Sequence, residues 1–536
     1  MYRHTPVTLV RATSIYTLDG PPVEAMLVSG GRVLATGSAA QLREHPGCTD
    51  EVVLEGTVLP GFNDAHAHPT MTAENLLHVD LSPDLVPSQQ ALVARLQEAA
   101  LNTPPGEWVR GSRYDHEKSS DGEVLDRAAL DSFVPDRPVL LIHVAAHWGV
   151  LNSAGLEAAG LSAETPDPPG GSLGRDANGQ LTGVVYEQAL FDLAYSSLAR
   201  GGRTVLPASP QAARIEGLER ALQMFHAAGI TSMCDALCGP EDLELLQAAR
   251  REGRLTMRVS AVVAHPHFDA MVAAGVMDGL GDEWLRLAGV KAFVDGACAG
   301  GNCLVDEPFE GTDDHGMQVV DTQALADLVA KVTAHGTVLA VHANGDRAIR
   351  LLLDAHESAR QHGAPPGRHR IEHCSIIDED IVRRIRDLGL VVVPFGSYAR
   401  FHGGKLVGYY GHERLERMFA HRTLLDAGVP VAGSSDYPCG PFEPLVAFAS
   451  CVERRTPDGQ PIGLSQRISV EEAVHLYTTG AAYATGEEDR KGTLAPGMLA
   501  DWVELDQDPF AVDPAQLAEV SVRSTWVGGK MVFHSS

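Results

Sequence analysis

No stretch of this 536-residue sequence approaches the roughly 18 consecutive apolar residues that a membrane-spanning helix needs. Nor does any long basic run interrupt a chain whose formal net charge is −28, so neither nucleic acid nor an anionic membrane is an expected partner. The eight cysteines form no C-x-x-C pair and are too sparse for a disulfide framework. They are read as reduced thiols, and Cys374 and Cys439, beside the histidine and aspartate motifs, are read as packing groups. The opening Met1-Tyr2-Arg3-His4-Thr5-Pro6 starts neither a signal peptide with an apolar core nor a transit peptide, and the expected location is the cytoplasm. No fixed-period repeat is found. What is present is a hydrophobic fraction of 44% with glycine and proline spread along the chain, the composition of a folded α/β enzyme rather than a disordered one. The length exceeds that at which single cores stop growing, so accessory structure beside one large domain is expected.

The two ends of the chain look alike. Val7–Val10, Ala25–Val28, Arg32–Ala35 and Glu51–Leu54 read as short strands, with Ser29-Gly30-Gly31 as a hairpin signal. Ala500–Leu505, Ser524–Val527 and Lys530–Phe533 repeat that character. A β-sandwich built from residues 1–58 and 485–536 is therefore expected, enclosing a middle of residues 59–484. In that middle, apolar runs of strand length alternate with helix-like segments, as a parallel sheet requires. Eight runs are found, ending near His66, Asp235, Val263, Val294, His342, His373, Pro394 and Gly433, the number for a (β/α)8 TIM barrel. The 31 positions from His342 to His373 span one β/α unit, and the 63 from His373 to Asp436 span two. The gap between the first two runs is far too long for one unit. Residues 75–210 are thus expected to be an insertion after the first strand, lying over the barrel mouth, with strand-like Pro138–His143 and a Pro/Gly-rich loop at Thr165–Gly171.

Gly61-Phe62-Asn63-Asp64-Ala65-His66-Ala67-His68-Pro69 follows the apolar Val58-Leu59-Pro60 and reads as a buried strand ending in a polar loop. Strand alternation sends His66 and His68 to the same side, which makes a half-site for a zinc-class ion. The other runs end near Lys291, His342 and His373, and the last is followed by Asp436. Singly, each has an ordinary explanation: a satisfied histidine, a solvated lysine, an aspartate capping a turn. Together they fall at the carboxyl ends of barrel strands, where such folds keep their chemistry, and point to a metal centre.

That order of residues resembles the amidohydrolase superfamily. The finer match is to amidohydrolase family 3, the branch containing N-substituted formamide deformylase. It is carried by Pro60–His68, Val290–Gly296, Val341–Asp346, Arg370–His373 and Gly433–Asp436, by Asn152-Ser153, Gly170-Gly171, Gly179–Gly183 and Glu187, and by Gly492–Asp501. Two places depart from the pattern. Pro394-Phe395-Gly396-Ser397 stands where relatives carry Gln-Pro, and Ala145-Ala146-His147 where they carry Asp-Gly-His.

The resemblance implies a metal-dependent hydrolase of non-peptide C–N bonds in a small amide-type molecule, acting as a homodimer. Two divalent ions, zinc or another, would be held by His66, His68 and Asp436 on the more buried side and by His342 and His373 on the more exposed one. Lys291, carboxylated by carbon dioxide, would bridge them. Hydroxide on the metal would attack the carbonyl, Asp436 taking its proton and passing it to the leaving amine; Asp436, Lys291 and His342 form the catalytic set. With Lys291 free, one metal remains and the lysine is a charge partner. A deaminase is the closest rival: it lacks the strand-four lysine and uses a glutamate after the fifth-strand histidine, where Asp346 stands here. Lactone or phosphoester hydrolysis and a non-catalytic scaffold complete the alternatives. Tyr114, Asp115, His147, Trp148 and Glu187 in the insertion, with Phe395 and Tyr398 after the seventh run, are the candidate substrate contacts.

Overall fold

The computed structural model describes residues 6–200 and 204–535. The first five residues, part of the N-terminal reading, and residues 201–203, within the expected insertion, lie outside them. In chain order the strands begin with β1 (Val7–Ile15), β2 (Val23–Ser29), β3 (Arg32–Gly37), β4 (Cys48–Val53) and β5 (Thr57–Pro60). The turn between β2 and β3 is Gly30-Gly31, at φ 58° and 79°, the pair of positive values a two-residue hairpin demands and glycine adopts freely. Next come β6 (Phe62–Ala67), then β7 (Val79–Asp80), β8 (Val109–Tyr114), β9 (Val139–His143), β10 (Trp148–Leu151), β11 (Gly171–Arg175) and β12 (Leu181–Glu187). The series β13 (Ile230–Cys238), β14 (Arg258–Ala264), β15 (Leu285–Phe293), β16 (Leu339–Ala343), β17 (Arg370–His373) and β18 (Val391–Val393) precedes β19 (Trp502–Leu505), β20 (Val522–Val527) and β21 (Lys530–His534).

These strands form three sheets. Both ends of the chain enter one eight-stranded sheet, β21-β20-β19-β5-β1-β2-β3 with β4 on β1. Its junction is the antiparallel pair β5–β19, which sets Pro60 opposite Trp502, and the rings of Trp502 and Trp526 stack 4.9 Å apart. A second sheet, β11-β12-β10-β9-β8-β7, is made wholly from the segment expected as an insertion. Asn152 ties it together: its side chain accepts from the backbone N–H of Val139 and Gly155 and donates to the carbonyls of Val134 and Arg137. Buried at the head of a helix, that amide has all its hydrogen bonds made.

The third sheet is parallel, β6-β13-β14-β15-β16-β17-β18. All nine residues of β13 are buried, as a parallel strand covered on both faces requires. The run expected as an eighth strand closes the ring through isolated pairings instead of a regular ladder. Val431 bridges Val392, Ser434 bridges Phe395, and the Ala65 N–H reaches Gly433 O at 3.0 Å. Pro430 has no N–H to give, which shortens the pairing there. The connecting helices are locally specified: Glu379–Leu388 is capped by Asp378, which accepts the Ile381 N–H, and stops at Gly389 with φ 70°, while Ile381, Val382 and Ile385 turn inward. No helix among the described residues is long and apolar enough to cross a membrane.

Candidate metal centre

His66 lies near the end of β6, Lys291 within β15, His342 within β16 and His373 at the last position of β17, so strand register alone aims four side chains at one rim. Two backbone hydrogen bonds add the rest: the Asp436 N–H to His66 O at 2.8 Å, and the His68 N–H to Tyr437 O at 3.0 Å. Asp64, fully buried, accepts the N–H of both His66 and Ser435, fastening the first strand end to the last loop.

The donor atoms converge. Asp436 Oδ1 is 3.3 Å from His66 Nε2 and 3.1 Å from His68 Nε2, and Lys291 Nζ is 3.4 Å from His66 Nε2. Corners of a tetrahedron about 2.0–2.1 Å from its centre lie roughly 3.3 Å apart, so this spacing is that of ligands around a zinc-sized ion. His66, His373 and Asp436 each offer a ligand atom within 4.8 Å of the others. The rings of His66 and His373 are 4.8 Å apart, and those of His373 and His342 4.6 Å. Among the described residues His373 Nδ1 is buried without a hydrogen-bond partner, a cost that ligation can remove.

Protonation states fit ligation as well, since imidazoles must be neutral and carboxylates ionised. Burial holds His342 and His373 well below the usual histidine range. For Asp436 burial works upward, but His373 and the hydrogen bonds from His66 and His68 prevail and bring it well below the usual carboxylate range. Burial brings Lys291 down to about 8, against the opposing pull of Glu372 and Asp436.

Three of the candidate ligands, His66, His342 and His373, have a brace behind them. His66 Nδ1 pairs with Glu372, which Arg370 grips with two N–H groups at 2.7 and 2.8 Å while also donating to Ala65 O. His342 Nε2 sits 3.1 Å from Gly296 O and 3.6 Å from Asp295, whose carboxylate accepts three backbone N–H groups, those of Leu304, Asn344 and Gly345. Phe395 stacks on the His373 ring at 4.3 Å, and Tyr398 stacks on Phe395 at 3.6 Å. Such outer partners fix ring orientation and tune ligand basicity.

The six rim residues line a cavity whose far wall, Ala145, Ala146, His147, Phe191, Tyr195 and Leu198, belongs to the insertion. His147 Nδ1 lies 2.8 and 3.0 Å from the two Glu187 oxygens, and its ring is 5.5 Å from that of His342. Of the ten non-glycine residues at positive φ among the described residues, five belong here: Ala146, Glu187, His373, Cys374 and Asp436. Backbone strain concentrated in this way marks a site whose geometry the surrounding structure enforces.

Among the candidate substrate contacts, only His147 is on the cavity wall. Glu187 stands behind it, and Phe395 and Tyr398 stand behind His373. Tyr114 bonds Ser120, Asp115 caps a helix and pairs with Lys405, and Trp148 stacks on His143 at 4.3 Å. Asp346 pairs with Arg417 and accepts the Asp306 N–H, so it is not on the cavity wall either. Cys374 is a packing group as expected, but Cys439 lines the cavity, because the tight loop after Asp436 turns it back over the rim. Met71, Phe191, Tyr195, Leu198, Leu237 and Phe293 also line it. The spacing of Phe191 and Tyr195, four apart at a helix end, is the one local signal that hinted at two of them.

Comparison with known proteins follows this geometry. The profile of the Amidohydrolase family matches residues 54–533. An amidohydrolase of Bacillus subtilis (strain 168), YtcJ, is 31% identical over 97% of this chain and 98% of its own length. An N-substituted formamide deformylase of Arthrobacter pascens is 30% identical over 94% of each chain. Among solved structures, an uncharacterized metal-dependent hydrolase from Pyrococcus horikoshii OT3 superposes with a TM-score of 0.76 at 25% identity, covering 95% of this chain and 99% of that one.

Proposed function

The chain belongs to the amidohydrolase family, and from that premise we propose that it hydrolyses the C–N bond of a small non-peptide amide, an N-formyl or N-acyl amine or a carbamate-like compound. His66, His68 and Asp436 would hold one divalent ion and His342 and His373 a second, zinc being the ion that suits these donors best. The observation that carries this reading is a lysine in the middle of a ligand set: Lys291 Nζ lies 3.4 Å from His66 Nε2, where an ammonium could only repel a cation. Burial that brings its amine to about 8 keeps a fraction neutral, and a neutral amine adds carbon dioxide. An N–C bond would form and one proton leave, turning Lys291 into a carbamate anion that could serve as a further ligand.

When bound, the ions supply an acidified water and polarise the scissile carbonyl. Asp436, held as the anion, accepts the proton of the attacking water and returns it to the departing nitrogen. A C–O bond forms, the C–N bond breaks, and a carboxylate and an amine leave. His147, its Nδ1 side held by Glu187, presents its other edge to the substrate from the insertion. The relative named N-substituted formamide deformylase supports amide hydrolysis over deamination, as does the engagement of Asp346 with Arg417.

Metal-reconstituted protein assayed against N-formyl, N-acyl, carbamate and cyclic amides, with and without bicarbonate, tests the proposal. Turnover of at least one class, raised by bicarbonate, is expected. Ammonia release from nucleobases with no carboxylate product would overturn it.

A further inference from the structure

The cavity at the metal centre has a neighbour. Met71, Tyr195 and Leu237 line it and also line a second chamber between the insertion and the barrel. That chamber shares His78, Arg110, Pro207 and Ala208 with a groove open to solvent. Three spaces therefore follow one another from the surface to the ligand set, each separated from the next by only a few side chains.

Part of the middle chamber's lining is apolar, Leu140, Ile142, Leu206 and Leu237. Four of its charged groups pair, with Glu241 lining it as a fifth: Arg214 pairs with Glu74 at 3.3 Å and Asp242 at 3.1 Å, and Arg110 approaches Glu74 at 3.7 Å and donates to Pro207 O. No unmatched charge among these four awaits an ionic ligand. At the outer end His78 Nε2 lies 3.5 Å from Glu74 Oε1, so the apolar lining gives way there to polar groups.

We propose that the middle chamber, next to the metal-centre cavity across Met71, Tyr195 and Leu237, holds an extended apolar alkyl or aryl arm of the substrate, remote from the scissile bond. The inference rests on the amide-hydrolase reading for what lies at the inner end of the arm. Each methylene entering the chamber contributes roughly fourfold in affinity until the arm reaches the charged neck.

The test is a series of N-alkylformamides from methyl to octyl. Their binding to Asp436→Asn protein is measured by calorimetry and their kcat/KM on the wild type. Affinity and kcat/KM climbing together with arm length is the expected result, and Ala208→Trp, an exposed loop position at the neck, is expected to flatten the climb for long arms while N-methylformamide is unaffected. Binding that does not depend on length, or a climb that Ala208→Trp leaves intact, would overturn the arm site. Length-dependent binding without turnover would uphold the arm site and count against the hydrolase reading alone.

Discussion

On the barrel side of the cavity every ligand is carried by a strand end or the loop beside it, and most are braced by a second group. Glu372 and Arg370 stand behind His66, Asp295 behind His342, and Phe395 behind His373. On the insertion side two polar side chains, His147 and Tyr195, line the cavity, His147 held by Glu187 from a backbone at φ 48° and next to Ala146 at φ 60°. The barrel side is built from parallel register and buried charge pairs, so its geometry is rigid before any ligand arrives. The insertion side is built from loops and apolar contacts, so it shapes the cavity without defining the metal. The difference assigns chemistry to one wall and selection to the other.

Four substitutions press on that division. Asp436→Asn, on the barrel side, removes both an anionic ligand and the proton carrier, and a loss on the order of a thousandfold in kcat/KM is expected from steady-state kinetics. Glu372→Gln leaves the ligand set whole but releases the His66 ring and strands the Arg370 guanidinium. Metal affinity, read by chelator competition, should fall by roughly 10- to 100-fold. Glu187→Gln tests the opposite wall. With His147 loosened, kcat/KM should drop about tenfold while metal content stays at the wild-type level; loss of metal would erase the distinction between the walls. The smallest effect belongs to Ala146→Gly. Alanine at φ 60° occupies a left-handed conformation that costs about 1 kcal/mol and that glycine adopts without penalty, so denaturant unfolding should show a gain of that order. That position is where the resembling family carries the glycine of Asp-Gly-His.

The barrel side was legible in the sequence because its chemistry is tied to local pattern. His66-Ala67-His68 declares its face by strand alternation, and His342 and His373 end apolar runs one β/α unit apart. The two strand-rich ends likewise enter one sheet, through the β5–β19 pair. The insertion side resisted reading because its contacts are tertiary. Nothing near Tyr114 or Trp148 in the sequence distinguishes a packed aromatic from a substrate contact, and both turn into the core of the inserted sheet. On the barrel side, too, Met71, Leu237 and Cys439 line the cavity through tertiary contacts that no local pattern announces, Cys439 because the loop after Asp436 is tight. The eighth strand was only half visible: the run ending at Gly433 has the apolar character of a strand, yet Pro430 keeps it from a full ladder.

Counting metal ions per chain in wild-type and Lys291→Ala protein, both prepared with zinc and bicarbonate, tests the bridging lysine most directly. Wild-type protein should hold two ions and the variant one or none, although all four histidines and Asp436 remain. Two ions in the variant, or none in the wild type, would contradict the assignment of Lys291 and of the centre built around it.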